Sequence, residues 1–379
     1  MSKDRKKLWI PEIQLESRKI FKKVNVNVNV SLGSLAGFIK LELLEAATGI
    51  VKECYEFPNI ILTAGLDAMF IDDSQIFGTK LSDLINSLTI GTGSTVPDPS
   101  DLHLDELVAS TTSDGGIPQT AGYQTGSGGG PFDLGNPYHF VVTTRVFVEN
   151  QANFPTLSEL GWRSTSTPEF QFTRALIKDV DGVPITIAKT DQDQLRITYE
   201  LRFYPPTSQF SGSFILADSE TSHSFTGSAV DIDTVVGGKG WGFTAAGGGT
   251  KGLFFGFGDW QGQNFKGQAA TPYASASLPG NPTGTVIDWG WLGGDTSDAN
   301  MSESLFGYQS GSFELAKEAV WEPSRANFSS GGIQGMALDY VKGGYIFAMF
   351  ITPSIKKTDV DRLRFIYTAT VTASVTSSA

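Results

Sequence analysis

The chain has 379 residues, of which 40% are hydrophobic and 18% are charged. This length and composition are sufficient for more than one hydrophobic core and exclude a disordered chain. Glycine (43 residues) and aromatic side chains (11%) are abundant, which favours turn-rich β-structure over helical bundles. The net charge of −12 disfavours binding to nucleic acid or to an anionic membrane surface. The apolar runs are too short to span a bilayer, so no membrane insertion is expected.

The N-terminal residues 1–23 differ in charge from the rest of the chain. They contain eight basic and three acidic side chains, a net charge of +5, whereas the remainder carries −17. A solvated basic tail is one interpretation, and an electrostatic docking arm for an acidic partner is the other. Lys6 and Lys7 are therefore candidate assembly contacts.

Valine and asparagine alternate strictly in the segment that follows the arm. This pattern predicts a half-buried strand with all valines on one face. An asparagine ladder at a subunit contact is the alternative interpretation. The valines that join Lys6 and Lys7 as candidate assembly contacts are Val24, Val26, Val28 and Val30.

The next elements are a hairpin, a short helical segment and a long loop. Alternating residues from Phe38 to Phe57, with Thr48-Gly49 between them, predict the hairpin. Thr63 is suited to cap a helix, which predicts a helical segment near residues 63–88. Between Gly91 and Gly130 the composition shifts to Gly, Ser, Thr, Pro and Asp, which predicts a surface loop that contacts a partner.

An internal repeat indicates a duplicated β-module. Lys189–Tyr199 recurs as Lys357–Tyr367 with seven of eleven positions identical, and Ala152-Asn153-Phe154 recurs upstream as Ala326-Asn327-Phe328. The order of both motifs is the same in the two copies. The predicted fold is therefore mainly β, with antiparallel β-sandwich modules, one of them duplicated.

The domain divisions follow from the repeat and from shifts in composition. A glycine-rich segment with four tryptophans lies between the copies. Its aromatic rings are expected to pack within irregular loops, and glycan binding is the alternative. These tryptophans are Trp241, Trp260, Trp289 and Trp291. The predicted divisions are a basic arm (1–23), a β-rich region (24–137), the first copy (138–206), the Gly/Trp-rich insertion (207–310) and the second copy (311–379).

Residues typical of catalysis or metal binding do not form a recognisable motif. His103, His139 and His223 have no metal-ligand spacing, and the Asp-x-Asp pairs lack the glycine and distal glutamate of a calcium loop. We therefore expect no cofactor, no metal and no enzymatic activity. A glycosidase carboxylate pair stays open, because such pairs are defined by distance in space.

Four strings, taken together and in this order, resemble structural proteins of tailed-bacteriophage tails, of the tail fibre, collar or sheath type. They lie within about residues 35–206. The resemblance implies a β-rich virion component that assembles as a homo-oligomer, with no catalytic residues to carry over. The strings are Phe57–Leu66, Leu88–Ser94 followed by Pro97, Arg174–Ile177, and Gln194–Pro206.

The sequence therefore predicts a non-enzymatic structural subunit of a phage tail, such as a collar, sheath or fibre-attachment protein. Its expected partners are further copies of itself and other tail proteins, and its expected location is the virion. Two other hypotheses stay open. One is a receptor-recognition protein that binds a host cell-surface glycan through the tryptophan-rich segment, and the other is a polysaccharide depolymerase.

Overall fold

The computed structural model describes most of the chain in segments. These are residues 22–70, 72–73, 76–77, 84–124, 138–166, 168–204, 209–216, 220–229, 271–273, 302–305, 309–321, 332–341, 344–358 and 361–373. The helix α1 is Thr63–Phe70. The strands are β1 Lys22–Glu45, β2 Val51–Ile61, β3 Asp72–Asp73, β4 Ile76–Phe77, β5 Ser87–Gly91, β6 Leu107–Thr111, β7 Thr120–Gln124, β8 Tyr138–Phe147, β9 Glu159–Arg163, β10 Thr173–Leu176, β11 Asp193–Tyr204, β12 Phe210–Ile215, β13 Ser222–Ala229, β14 Thr271–Tyr273, β15 Ser302–Leu305, β16 Glu314–Trp321, β17 Ile333–Val341, β18 Gly344–Ile355 and β19 Asp361–Ala373.

These elements confirm the predicted mainly-β fold with antiparallel pairing and a short helix. Twelve strands form one extended sheet and five form a second. We call β1, β2 and β5–β11 the first module and β12–β19 the second module; each contains more strands than the repeated sequence. In the first module β1, β11, β8 and β7 make one layer, and β10, β9, β5 and β6 make the other. Strand β2 pairs with β1 up to Asn59 and with β10 at Ile60 and Ile61, so it passes from one layer to the other.

The core of the first module lies between these layers. The rings of Trp162 on β9 and Tyr199 on β11 stack with their centroids 5.4 Å apart. Apolar and polar residues alternate in the sequence of β11, which is typical of a half-buried strand. Every second side chain of β11 is accordingly fully buried in this core. These buried side chains are Leu195, Ile197, Tyr199, Leu201 and Phe203.

The predicted duplication is visible in strand pairing. Phe147 lies opposite Leu195 in the β8–β11 pair, and Trp321 lies opposite Leu363 in the β16–β19 pair. Both leucines stand six residues after the repeated lysine. The same sequence pattern therefore forms the same register twice.

The correspondence extends to strands outside the visible sequence repeat. Strand β10 lies between β9 and β2, as β18 lies between β17 and β13, and β5 pairs with β9 as β14 pairs with β17. Similarly, β7 pairs with β8 and β15 pairs with β16. The second module thus repeats the framework of the first, while the domain divisions drawn from sequence stay predictions.

The repeated lysine and aspartate motif forms the same turn in both copies. Asp193 accepts hydrogen bonds from Thr190 N (2.9 Å) and Thr190 Oγ1 (2.6 Å), and Asp361 accepts the same bonds from Thr358 (2.9 and 2.7 Å). In the first copy Lys189 Nζ donates to Asn153 Oδ1 at 2.8 Å. This bond joins the lysine motif to the Ala-Asn-Phe motif in the first copy, while Asn327 of the second copy lies outside the described residues.

The segment between Gly91 and Gly130 is not the continuous loop that its composition predicts. Strands β6 and β7 lie within it, paired with β5 and β8. Their runs are only five residues long. Turn-forming residues on both sides of such short runs hide the strand pattern in sequence.

Candidate assembly surface

The predicted valine and asparagine strand is the N-terminal half of β1, and it pairs with the second module. Residues 22–31 run parallel to β19, with Val26 opposite Phe365 and Asn29 opposite Thr368. Asn29 is exposed. The ladder with β19 continues to Leu35, while from Ser34 onward β1 also pairs with β11, and from Gly37 onward with β2, both of the first module. One strand therefore joins the two modules.

The remaining predicted contact residues lie outside the described residues. This applies to Lys6 and Lys7 and to the four tryptophans proposed to bind a glycan, Trp241, Trp260, Trp289 and Trp291. Their roles stay predictions. The valines Val24, Val26, Val28 and Val30 are placed by backbone pairing alone.

Gly33 lies at a bend within β1, directly before β1 begins to pair with β11. Its φ is +115°, a conformation that side chains with a Cβ rarely adopt. The ladder with β19 shifts register between Ser31 and Gly33, and a Cβ at Gly33 would collide with the carbonyl oxygen of Tyr204. Glycine is therefore required at this bend, because both the backbone angle and the space demand it.

A buried arginine forms an ion-pair cluster that sequence reasoning missed. Arg174, on β10, is 1% exposed and lies within hydrogen-bonding distance of Glu159 (3.0 Å), Asp101 (2.6 Å) and Asp105 (2.7 Å). It also donates to Thr95 Oγ1 at 3.1 Å. Burial acts to lower the pKa of Arg174, but its hydrogen bonds to Asp101 and Glu159 raise it overall, so the guanidinium stays charged.

The same cluster fixes the loop between β5 and β6. Glu159 is fully buried and accepts hydrogen bonds from the backbone of Gly93 (3.0 Å) and Glu106 (2.9 Å). Burial acts to raise the pKa of Asp105, but hydrogen bonds from Thr95 and the charge of Arg174 lower it. Asp101, Asp105 and Glu159 are all bonded to the arginine or to the loop backbone, so the cluster positions the loop.

Two of the strings that resemble tail proteins meet at this cluster. The string Leu88–Ser94 supplies Gly93, and Arg174–Ile177 supplies the arginine. Their separation of about 80 residues hides the contact from any local pattern. The available signal was a single arginine beside the apolar residues Ala175, Leu176 and Ile177, because buried charges in proteins are paired.

Exposed apolar side chains lie on two turns of the first module. Ile50 in the β1–β2 hairpin is 63% exposed, and Val180 and Val183 in the turn after β10 are 91% and 54% exposed. The turn after β10 runs beside β2, since burial first, then Glu53 and Asp179, raise the pKa of Tyr55 on β2. We name this set, Ile50, Val51, Val180 and Val183, the apolar tips.

The apolar tips stand on ordered turns. Asp179 Oδ1 accepts hydrogen bonds from the backbone of Asp181 (3.0 Å) and Val183 (2.9 Å). In the hairpin, Ala46 N donates to Gln192 O at 2.9 Å and Lys52 Nζ pairs with Asp193 at 2.7 Å. These bonds hold the apolar side chains toward solvent in a fixed arrangement.

The described residues contain neither a metal-ligand cluster nor a membrane-spanning helix. No group of three or more metal-ligating side chains occurs among the described residues. No helix in that part of the chain has the length and apolarity to cross a membrane. Comparison with protein-family models, curated proteins and solved structures finds no match for this chain. The resemblance to tail proteins therefore stays a prediction from the four strings.

Proposed function

We propose that this protein is a non-enzymatic structural subunit of a bacteriophage tail, of the collar, sheath or fibre-attachment type. It assembles with further copies of itself and with other tail proteins in the virion. The observation that supports assembly is the set of apolar tips on ordered turns. The tail assignment is supported by the resemblance of the four strings.

Burial of the apolar tips is a favourable driving force for association. Complete burial of an apolar side chain of this size contributes about 1.5–3 kcal/mol. The hydrogen-bonded turns have already lost most of their conformational freedom, so little further entropy is lost on binding. Exposed apolar side chains that form one patch are typical of a protein–protein contact.

Light scattering on the purified full-length chain tests assembly through this surface. We expect an oligomer whose mass falls to that of the monomer when Ile50→Asp and Val180→Asp are combined. Val96→Asp is the matched control, because Val96 is 81% exposed and lies outside the apolar tips. A chain that is monomeric at all concentrations, or an oligomer insensitive to the double substitution, would contradict assembly through the tips.

Immunogold electron microscopy of particles tests the tail assignment separately. Antibodies against the purified chain are expected to label the tail of intact phage particles. Label confined to the head, or absent from particles altogether, would contradict the assignment. This outcome is independent of the oligomer measurement, so the two parts of the proposal are tested one at a time.

A further inference from the structure

The long final strands of the two modules, β11 and β19, pair with different parts of β1. In the first module β11 pairs antiparallel with the C-terminal half of β1, which continues through a hairpin into β2. In the second module the corresponding hairpin is β12–β13, and β12 has only six residues. Strand β19 pairs instead with residues 22–35, in parallel. The second module thus takes its completing strand from the distant N-terminus.

Strand β19 needs the N-terminal segment of β1 as a neighbour to keep its core side chains away from solvent. It is thirteen residues long, and its side chains Leu363 and Phe365 are fully buried. Without the N-terminal segment, a long strand edge beside a buried core would be open to solvent. Such an edge is a template for pairing with another strand.

The N-terminal segment meets the first module at a bend. Among the described residues, the backbone ladder of residues 22–31 is formed with β19 alone. The chain bends at Gly33, where the register shifts and φ is +115°, and the ladder with β19 continues as far as Leu35, where β1 already pairs with β11. A different backbone conformation at Gly33 would release residues 22–31 and break these last pairs with β19, but it would leave the pairs of β1 with β11 and β2 intact.

We infer that in the assembled protein the N-terminal segment of one copy completes β19 of a second copy. The exchanged ladder is the one seen within the chain, so exchange requires no new contact and is a low-cost route to an oligomer. Strand exchange would be one way in which copies assemble, and it rests on the proposed function for the statement that they do.

Disulfide trapping between two different chains tests the exchange. Asn29 and Thr368 lie directly opposite one another in the ladder, and the exposed Cys54 is the only native cysteine. Adjacent strands bring paired Cα atoms within disulfide range. All chains carry Cys54→Ser. One chain adds Asn29→Cys, the other adds Thr368→Cys, and the two are co-expressed and then oxidised.

We expect a covalent dimer in which mass spectrometry finds the N-terminal peptide of one chain linked to the β19 peptide of the other. The control is one chain that carries both substitutions, co-expressed with an excess of the cysteine-free chain. The exchange would be overturned if the disulfide forms within the doubly substituted chain but not between the two co-expressed single variants. Absence of the link in both samples would also overturn it, because the ladder itself would then be absent.

Light scattering on the same samples separates the two proposals. Oligomers without an interchain link would contradict strand exchange and leave assembly through the apolar tips standing. A chain that is monomeric throughout would contradict both.

Discussion

The two modules share a framework but differ in what occupies equivalent positions. Opposite Gly161 in the β9–β10 pair stands Arg174, whereas opposite Gly335 in the β17–β18 pair stands Phe350. The first module organises a long loop around its buried arginine, and the second has an aromatic residue at that place. Strand order and the repeated turn are therefore common to both modules, while the residue opposite the equivalent glycine differs between them.

The strongest test of this difference is removal of the arginine. Arg174→Ala leaves the fully buried Glu159 without its charged partner, and we expect a loss of about 3–5 kcal/mol in the free energy of unfolding. Urea denaturation measures the loss, and limited proteolysis should show cleavage in the loop between β5 and β6.

Arg196→Ala is the control for this substitution. Arg196 is 31% exposed and pairs with Glu42, which keeps Lys40 as a second partner. We expect its loss to cost less than about 1 kcal/mol. Equal costs at Arg174 and Arg196 would show that the buried cluster does not hold the first module together.

The repeated turn allows the two copies to be compared at one residue type. Asp193 is buried and binds Lys52 in addition to the turn, whereas Asp361 is half-buried. We expect Asp193→Ala to cost about 2–3 kcal/mol and Asp361→Ala about 1–2 kcal/mol in urea denaturation. A larger loss at Asp361 would mean that the second copy depends more on its turn than the first.

Sequence alone predicted those features that depend on neighbouring residues. The alternation of β11, the hairpin of β1 and β2, and the repeated turn were each visible as short patterns. The short helix was also visible, because Thr63 stands at its start. Each of these features needs contacts only within one strand, one turn or one repeat.

Features that depend on distant residues were not predictable in this way. Arg202, on the polar face of β11, is buried with its guanidinium 4.1 Å from the ring centre of Phe38 and 4.5 Å from that of Tyr138. These rings come from β1 and β8, far away in sequence. The parallel ladder between β1 and β19 is similar, since it joins the two ends of the chain.

Two equivalent glycines also allow the modules to be compared, with smaller expected losses in the free energy of unfolding. Gly37 and Gly212 occupy matching positions on β1 and β12, and each has a side chain packed over it. At Gly37 a Cβ would collide with the buried side chains of Asn59 and Tyr199, so Gly37→Ala should cost about 1–3 kcal/mol. At Gly212 the Phe225 ring lies in the way.

The β12 glycine is expected to tolerate the change better. Strand β12 is at the edge of its sheet as described, and its residues are mostly exposed, so it can shift away from the ring. Gly212→Ala should therefore cost less than about 1 kcal/mol in thermal or urea unfolding. If the order of the two costs is reversed, the second module is the more tightly packed one.

The pH dependence of stability separates the contribution of the Asp193 charge from that of its shape. Burial acts to raise the pKa of this carboxyl, but hydrogen bonds from Lys52 and Thr190 lower it to about 2. Since the unfolded pKa is about 3.9, the carboxylate contributes stability that is complete above that value and is lost as pH falls toward 2. In Asp193→Asn this contribution is absent at every pH. The unfolding free energies of the two proteins, measured in urea at several pH values, should therefore differ by a constant amount above about pH 5 and converge toward pH 2. A constant difference down to pH 2 would show that the side chain acts through its shape and hydrogen bonds and not through its charge.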